Sequence, residues 1–427
     1  MATILAYTAP SLGHLYPICA LLIELRERGH NIALRTLEAG VGTGRDLGFA
    51  THAIGPRIEA VTRDDEKAPN LRAAMKLAFD TFAKRAELEV GDLRAAIAGV
   101  RPDVLIVDSN CGGAATVADV SDLPWLSFWP HTPYLRSRGM PPSGPGLRPW
   151  PGMMGRVRDG ALRPLLTGFV ERPMLPRLNK LRAELGAIPV DSADAYLRRA
   201  PLMLVAGGEP FEYPHPDWGD SVQMIGPCSF DPSAGFAPDW LDDIDRDIVL
   251  VSTSTERVGN TNLAQLTMLA LADEPFHVIA TFPAGMPDDI TVPPNATVRE
   301  FVPHSVVLDR AVCAVTHGGM GTTQKALERG VPVCVVPRGR DQFEVARRVE
   351  VSRCGTRLPD RRLTMARLHA KLHRAMTMSA GARRVAQGYA ATGGVARGAD
   401  LIEQRLLGQR TVSRSAARAP AVTPRNS

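Results

Sequence analysis

The chain has 427 residues, 44% hydrophobic and 22% charged, which excludes wholesale disorder and exceeds what one core serves, since single cores stop growing near about 250–300 residues. Two domains of about 200 residues each, with a cleft between them, are therefore expected. The formal net charge of +5 is concentrated in the last twenty residues, where Arg410, Arg414, Arg418 and Arg425 stand without an acid, so the body is nearly neutral and a nucleic-acid partner is not expected.

In chain order, Thr3–Thr8 (TILAYT) reads as a buried strand, followed by the turn APSLGH and an amphipathic helix from about Tyr16 to Arg28 that stops at Gly29. Asn31–Leu37 is a second strand, Leu71 to Ala98 a long helical stretch, and Asp103–Asp108 (DVLIVD) a continuous apolar strand of the parallel type. A helix from about Cys111 and the short strand PWLSFW complete an alternation that points to a doubly wound α/β domain. Pro and Gly then crowd the segment from Pro130 to about Pro176, which reads as a long loop: either the wall of a binding site, with Met140, Trp150, Met153 and Met154 forming an apolar surface, or a surface excursion with ordinary packing.

The chain divides into a first domain at 1–225, an acidic, turn-rich linker at 226–245, a second domain at 246–390, a closing helix at 391–407 and a disordered basic tail at 408–427. In the second domain Asp247–Thr253, FHVIATF, ATVREFV, CAVTH and PVCVVP supply strands, helices begin near Gly321 and Asp341, and helical patterns at about Met365–Met378 and Gly381–Gln404 close the fold. The six cysteines lack metal-ligand or paired spacing and read as reduced core residues. The N-terminus lacks a basic segment and a cleavage site, and no apolar run reaches the roughly 18 residues that span a bilayer, so a cytoplasmic protein is expected.

The stretch most informative about chemistry is His317-Gly318-Gly319-Met320-Gly321-Thr322-Thr323, where an apolar strand turns into a helix. Glycines admit close backbone approach, the first helical N–H groups have no internal partner, and the dipole favours an anion, so the turn suits a diphosphate. Close packing of helix on strand would select the same glycines. The sequence has neither GxxxxGK[ST] nor a GxGxxG after its first strand, which argues against a P-loop enzyme and a nicotinamide dehydrogenase.

The run FVPHSVVL…VTHGGMGTTQKALERGVPVCVVPRGRDQ, from Phe301 to Gln342, resembles the donor-binding signature of the family 1 glycosyltransferases, and the likeness extends from the N-terminal GHxxP turn to the final helices. The resemblance implies the GT-B fold, two Rossmann-like α/β domains facing across an interdomain cleft. It also implies stacking of the nucleotide base on Phe301 with the Val302 backbone and His304 nearby, diphosphate binding by His317, Gly319, Gly321 and Thr322, sugar-hydroxyl binding by Asp341 and Gln342, and a phosphate contact at Ser254-Thr255. The turn Ser11-Leu12-Gly13-His14, continuing to Pro17, resembles the GHxxP element, which makes His14 the general base, Gly13 a neighbour of the donor, and Asp108 the carboxylate that orients the base. Read without the resemblance, His14 is a helix-start residue and Asp108 a cap for the next helix.

One departure concerns the ribose. Where the family usually carries a glutamate for the ribose hydroxyls, the sequence has Gln324 and Lys325, and an ammonium accepts no hydrogen bond, so a dTDP-sugar joins UDP-sugars as an expected donor. The implied reaction is an inverting displacement at the anomeric carbon by a hydroxyl of a hydrophobic small molecule or glycolipid, and a lipid acceptor would bring the protein to a membrane surface. No cofactor or metal is expected, because the helix terminus and His317 can neutralise the diphosphate. Asp243-Ile244-Asp245 spells a metal-binding DxD but sits in the acidic linker, where solvated charge is the plainer reading. A nucleotide-sugar 2-epimerase and a binding protein without turnover are the alternatives.

Overall fold

The protein's computed structural model describes residues 1–62, 71–232, 237–253 and 261–408. The first half is a seven-stranded parallel sheet of β1 (Thr3–Tyr7), β2 (Asn31–Thr36), β3 (Ala50–Ala53), β4 (Val104–Asp108), β5 (Trp125–Trp129), β6 (Met203–Val205) and β7 (Val222–Met224), in the order β3-β2-β1-β4-β5-β6-β7. The second is a six-stranded parallel sheet of β8 (Asp247–Ser252), β9 (Phe276–Thr281), β10 (Ala296–Arg299), β11 (Ala311–Thr316), β12 (Val333–Val335) and β13 (Gly355–Arg357), in the order β10-β9-β8-β11-β12-β13. The doubly wound reading holds for both. Strands such as β4, buried at all five residues, are apolar up to the terminal Asp108 because helices cover both faces. Strands β3, β6, β7 and β13 were not disclosed by the sequence pattern; the last three are only three residues long.

Each sheet reverses its strand order once, between β1 and β4 in the first half and between β8 and β11 in the second. Such a reversal leaves a crevice outside the carboxyl ends of the strands, because successive connections run to opposite faces. The register fixes these ends side by side, with Tyr7 beside Val107 and Thr316 beside Ser252.

The structure corrects two sequence readings. Most of the presumed loop from Pro130 to Pro176 is part of a helix, Gly152–Glu184, that contains Pro164, Pro173 and Pro176. Each proline removes one helical N–H, but strong helix formers lie between them and the helix packs against the long helix Leu71–Val100. The closing helical pattern Gly381–Gln404 is two helices, Ser379–Ala391 and Gly394–Ile402, because Gly393 and Gly394 take φ values of 88° and 62° that break the first. The second of these helices crosses back to the first half: Ala399, Leu401 and Ile402 are buried in the core around helix Leu12–Glu27, and Arg28 reaches Asp400 at 2.7 Å and Glu403 at 2.9 Å.

All six cysteines are buried and free, and no described helix is long and apolar enough to cross a membrane. The tail beyond residue 408 lies outside the described residues.

Candidate active site

The carboxyl ends of both sheets open onto one cavity of about 1800 Å3 lined from both halves. That exceeds the roughly 300–1000 Å3 of a single small-ligand pocket and leaves room for two reactants.

From the first half comes His14, the third residue of helix Leu12–Glu27. The turn after β1 aims it at the end of β4, where buried Asp108 receives its Nδ1 at 2.8 Å and 2.9 Å from the two carboxylate oxygens. An Nδ1–H donated to Asp108 leaves the lone pair on Nε2, where the Asn110 side-chain amide donates at 3.0 Å. Asp108 also accepts the Asn110 backbone N–H at 2.7 Å, so it both turns the chain and holds the imidazole. Pro17, which has no N–H, leaves the Gly13 carbonyl without its usual helical donor beside the cavity.

Sequence reasoning missed His131, which follows β5 and packs edge-on against His14, with ring centroids 5.7 Å apart. Burial lowers its pKa against the opposing pull of Asp341, so His131 is a neutral imidazole between the first-half histidine and the second-half carboxylate. No local motif marks it; only the meeting of the two halves does.

From the second half, the turn after β11 carries His317 and Gly318, the latter at φ 97°, with Gly319 as the cap of helix Met320–Glu328. A Cβ on Gly319 would stand 2.8 Å from His317 Nε2, which explains the need for glycine there. His317, Gly319, Gly321 and Thr322 all line the cavity, and so do Phe301, Asp341 and Gln342. Phe301 is 50% exposed, an apolar ring left uncovered at the cavity edge, whereas Val302 is buried. The Gln342 side-chain carbonyl accepts the Arg338 N–H at 2.9 Å, tying the loop that carries Asp341. Half-buried His304 sits in a hydroxyl chain, with Nε2 2.9 Å from Thr281 Oγ1, and Thr322 Oγ1 lies 3.0 Å from Ser252 Oγ. Burial, aided by the Lys325 ammonium, pushes the His304 pKa down to about 4, so it is uncharged at neutral pH. Thr255 and its neighbour Ser254 lie outside the described residues.

Lys325 does not stand alone. Its ammonium pairs with Asp231, a linker residue whose other oxygen accepts the Ser305 N–H at 2.9 Å. Burial works to raise the Asp231 carboxyl, but the adjacent Lys325 outweighs it and holds the group below the ordinary carboxylate value. Both residues line the cavity, so a carboxylate does stand beside Lys325, supplied from a different stretch of chain. Asp243 and Asp245 are exposed in that same linker and are not among the cavity-lining residues.

The apolar wall is not built from the residues the sequence suggested. Trp150, Met153 and Met154 are 49%, 70% and 78% exposed, with Arg158 over the Trp150 ring, and neither they nor Met140 lines the cavity. The wall comes instead from Leu166, Phe169, Val170 and Met174 of helix Gly152–Glu184 and from Ala78, Phe79 and Phe82 of helix Leu71–Val100. In helix Gly152–Glu184 the spacing of Leu166, Phe169, Val170 and Met174 was a helical signal obscured by Pro164, Pro173 and Pro176.

A buried ionic clamp joins the halves. Glu344, one turn after Asp341, accepts the N–H groups of Gly144 and Gly146 at 2.8 Å and 2.9 Å, and its other oxygen pairs with Arg348 at 2.7 Å. Arg348 continues to Glu212 at 2.7 Å, and Glu212 accepts the Thr132 hydroxyl at 2.7 Å. Burial would raise the Glu212 carboxyl; Arg348 and His215 overcome it and hold the group at about 2. Gly146 touches the second half so closely that a Cβ would meet the Phe343 carbonyl at 2.2 Å.

Residues 265–395 match the family model described as erythromycin biosynthesis protein CIII-like, C-terminal domain. The chain is 29% identical to 4'-demethylrebeccamycin synthase of Lentzea aerocolonigenes, over 94% of this chain and 99% of that protein, and 27% identical to demethyllactenocin mycarosyltransferase of Streptomyces fradiae, over 94% and 86%. Among solved structures, the glycotransferase of kitacinnamycin superposes with a TM-score of 0.73 at 23% identity, covering 95% of this chain and 99% of that one. A Streptomyces sp. SF2575 glycosyltransferase complexed with thymidine diphosphate superposes at 0.67 and 17%, covering 95% and 100%.

Proposed function

We propose that this chain, a glycosyltransferase with the GT-B fold, moves a sugar from a dTDP- or UDP-sugar to a hydroxyl of a hydrophobic acceptor by a single inverting displacement that needs no metal. The observation that carries the reading is one cavity holding an Asp108-oriented imidazole on one side and an open helix terminus with His317 on the other.

In this mechanism His14 Nε2 exchanges the Asn110 amide for the acceptor hydroxyl and takes its proton as the oxygen attacks the anomeric carbon. Asp108 stabilises the imidazolium that forms, and His131, uncharged, adds no repulsion beside it. The bond to the diphosphate breaks in line, and the leaving charge develops against the N–H groups at Gly319–Thr322, where a helix terminus supplies fixed donors without reorganisation. Asp341 and Gln342 hold sugar hydroxyls, Phe301 stacks on the base, and the Phe79, Phe82 and Phe169 wall receives the apolar acceptor.

The Asp231–Lys325 pair favours dTDP over UDP. Each Asp231 oxygen already accepts one donor and the Lys325 ammonium beside it accepts none, so a second ribose hydroxyl gains less here than at a free carboxylate, which suits a sugar ring that presents one. Calorimetric titration with dTDP and UDP tests this, and tighter binding of UDP would overturn the donor preference. Labelled donors with hydroxylated aromatic or polyketide acceptors, in excess EDTA, test the transfer itself. A product of inverted anomeric configuration is expected; sugar isomers formed without acceptor would mean epimerisation, and donor binding without product would mean a protein that only binds.

A further inference from the structure

The second half carries another convergence of ligand-type side chains, away from the cavity. On helix Met365–Met376, His369 and His373 stand four residues apart and therefore share a face. Glu274, in the turn between helix Thr261–Ala270 and β9, reaches both: its Oε1 lies 2.9 Å from His369 Nε2 and 3.4 Å from His373 Nε2, while the two Nε2 atoms are 3.2 Å apart.

From this geometry we propose that Glu274, His369 and His373 form a binding site for a divalent transition-metal ion, zinc being the best match. Tetrahedral zinc with bonds of about 2.0–2.1 Å spaces its ligand atoms about 3.3 Å apart, and the three separations lie around that value. Two imidazoles and one carboxylate suit zinc, whereas calcium and magnesium require shells of oxygen. Hydrogen bonding alone accounts for the trio less well: two nitrogens in contact can share only one proton, but one cation satisfies all three lone pairs at once. The side chains are 41%, 40% and 29% exposed, so an ion enters from solvent and water completes its shell.

The location assigns the ion a role. Glu274 precedes the amino end of β9, and the reaction cavity lies beyond the carboxyl ends, so the ion is at the opposite end of the strands and takes no part in sugar transfer. It ties helix Met365–Met376, whose Leu368 and Leu372 are buried against β11 and β12, to the turn that enters β9. The consequence is a metal-dependent stability of the donor-side half.

The test uses the full-length chain without a polyhistidine tag. Zinc titrated by calorimetry binds with one equivalent, and cobalt at the same site gives the intense visible absorption of a tetrahedral complex. Both signals disappear in the His369→Ala/His373→Ala double variant, and Glu274→Gln weakens zinc at least about 10-fold. With free zinc at 100 times Kd, the unfolding equilibrium constant of the unsubstituted protein falls about 100-fold and its Tm rises, while the double variant does not respond. Absence of saturable binding, or binding and thermal shift that persist in the double variant, overturns the proposal.

Discussion

The two sheets share one strand order over their first six strands and bring different kinds of group to the crevice it creates. At the β1/β4 reversal the first half offers a side chain, His14, whose orientation and tautomer are fixed by a carboxylate from the neighbouring strand. At the β8/β11 reversal the second half offers backbone, the open N–H groups of helix Met320–Glu328, kept approachable by Gly318 and Gly319. A reversible proton carrier requires a titratable group; a site for developing negative charge requires fixed donors. Topology supplies the crevice in both, and a few residues in the turn decide which service it performs.

The sharpest way to separate these services is His14→Ala. It lowers kcat by ~10²–10⁴ in steady-state assays while the dTDP dissociation constant from calorimetry stays unchanged, since the base acts only in the transition state. Loss of dTDP binding in this variant would mean that the two turns are not separable. Next in size is Glu344→Ala, which frees Gly144 and Gly146 and removes one partner of buried Arg348. Denaturant unfolding should show a loss of about 3 kcal/mol, with kcat/KM for the acceptor falling more than donor affinity.

A third contrast is between two buried carboxyls. Glu212 is held at about 2 by Arg348, so its stabilising contribution is present above the ordinary carboxyl value near 4.5 and is lost as pH falls toward 2. Glu89, which caps helix Gly112–Val120 by accepting the Gly113 and Ala114 N–H groups, is raised by burial to about 7. Its contribution has the opposite sign: complete below about 4.5, lost as pH rises through 7. Glu89→Gln keeps an acceptor for the helix and should stabilise the protein by about 2–3 kcal/mol at pH 8 with little effect at pH 4, measured by unfolding at the two pH values. The smallest expected effect is Gly319→Ala, whose Cβ displaces the His317 ring and raises the dTDP dissociation constant about 10-fold, with kcat at saturating donor little altered.

Legibility in the sequence followed the range of the interaction. That His14, His317 and the turn at Gly319–Thr322 reach the cavity was readable because each lies in a strand-turn-helix unit written within a few residues, whose backbone donors follow from local geometry. Asp231 was not readable, since its pairing with Lys325 spans 94 residues and joins a linker to a helix. His131 and the Glu344–Arg348–Glu212 clamp depend in the same way on the halves meeting. Helix Gly152–Glu184 was hidden for another reason: prolines are a strong local sign of a break, and tertiary packing against the long helix Leu71–Val100 overrode them. The apolar wall was lost with it, so for Trp150 and the neighbouring methionines a binding wall and ordinary packing both stayed open, and the residues lining the cavity are Phe169 and Met174 instead.

The return of helix Gly394–Ile402 to the first half has a practical corollary for anyone recombining such enzymes. A chimera joined only at the linker would graft a foreign C-terminus onto the groove of helix Leu12–Glu27, replacing the partners of Arg28 and repacking the support of the helix that bears His14. Sequence order and structural ownership part company here: the residues after about 391 travel with the first half. An exchange of the second half needs two junctions, one between the two sheets and one at Gly393.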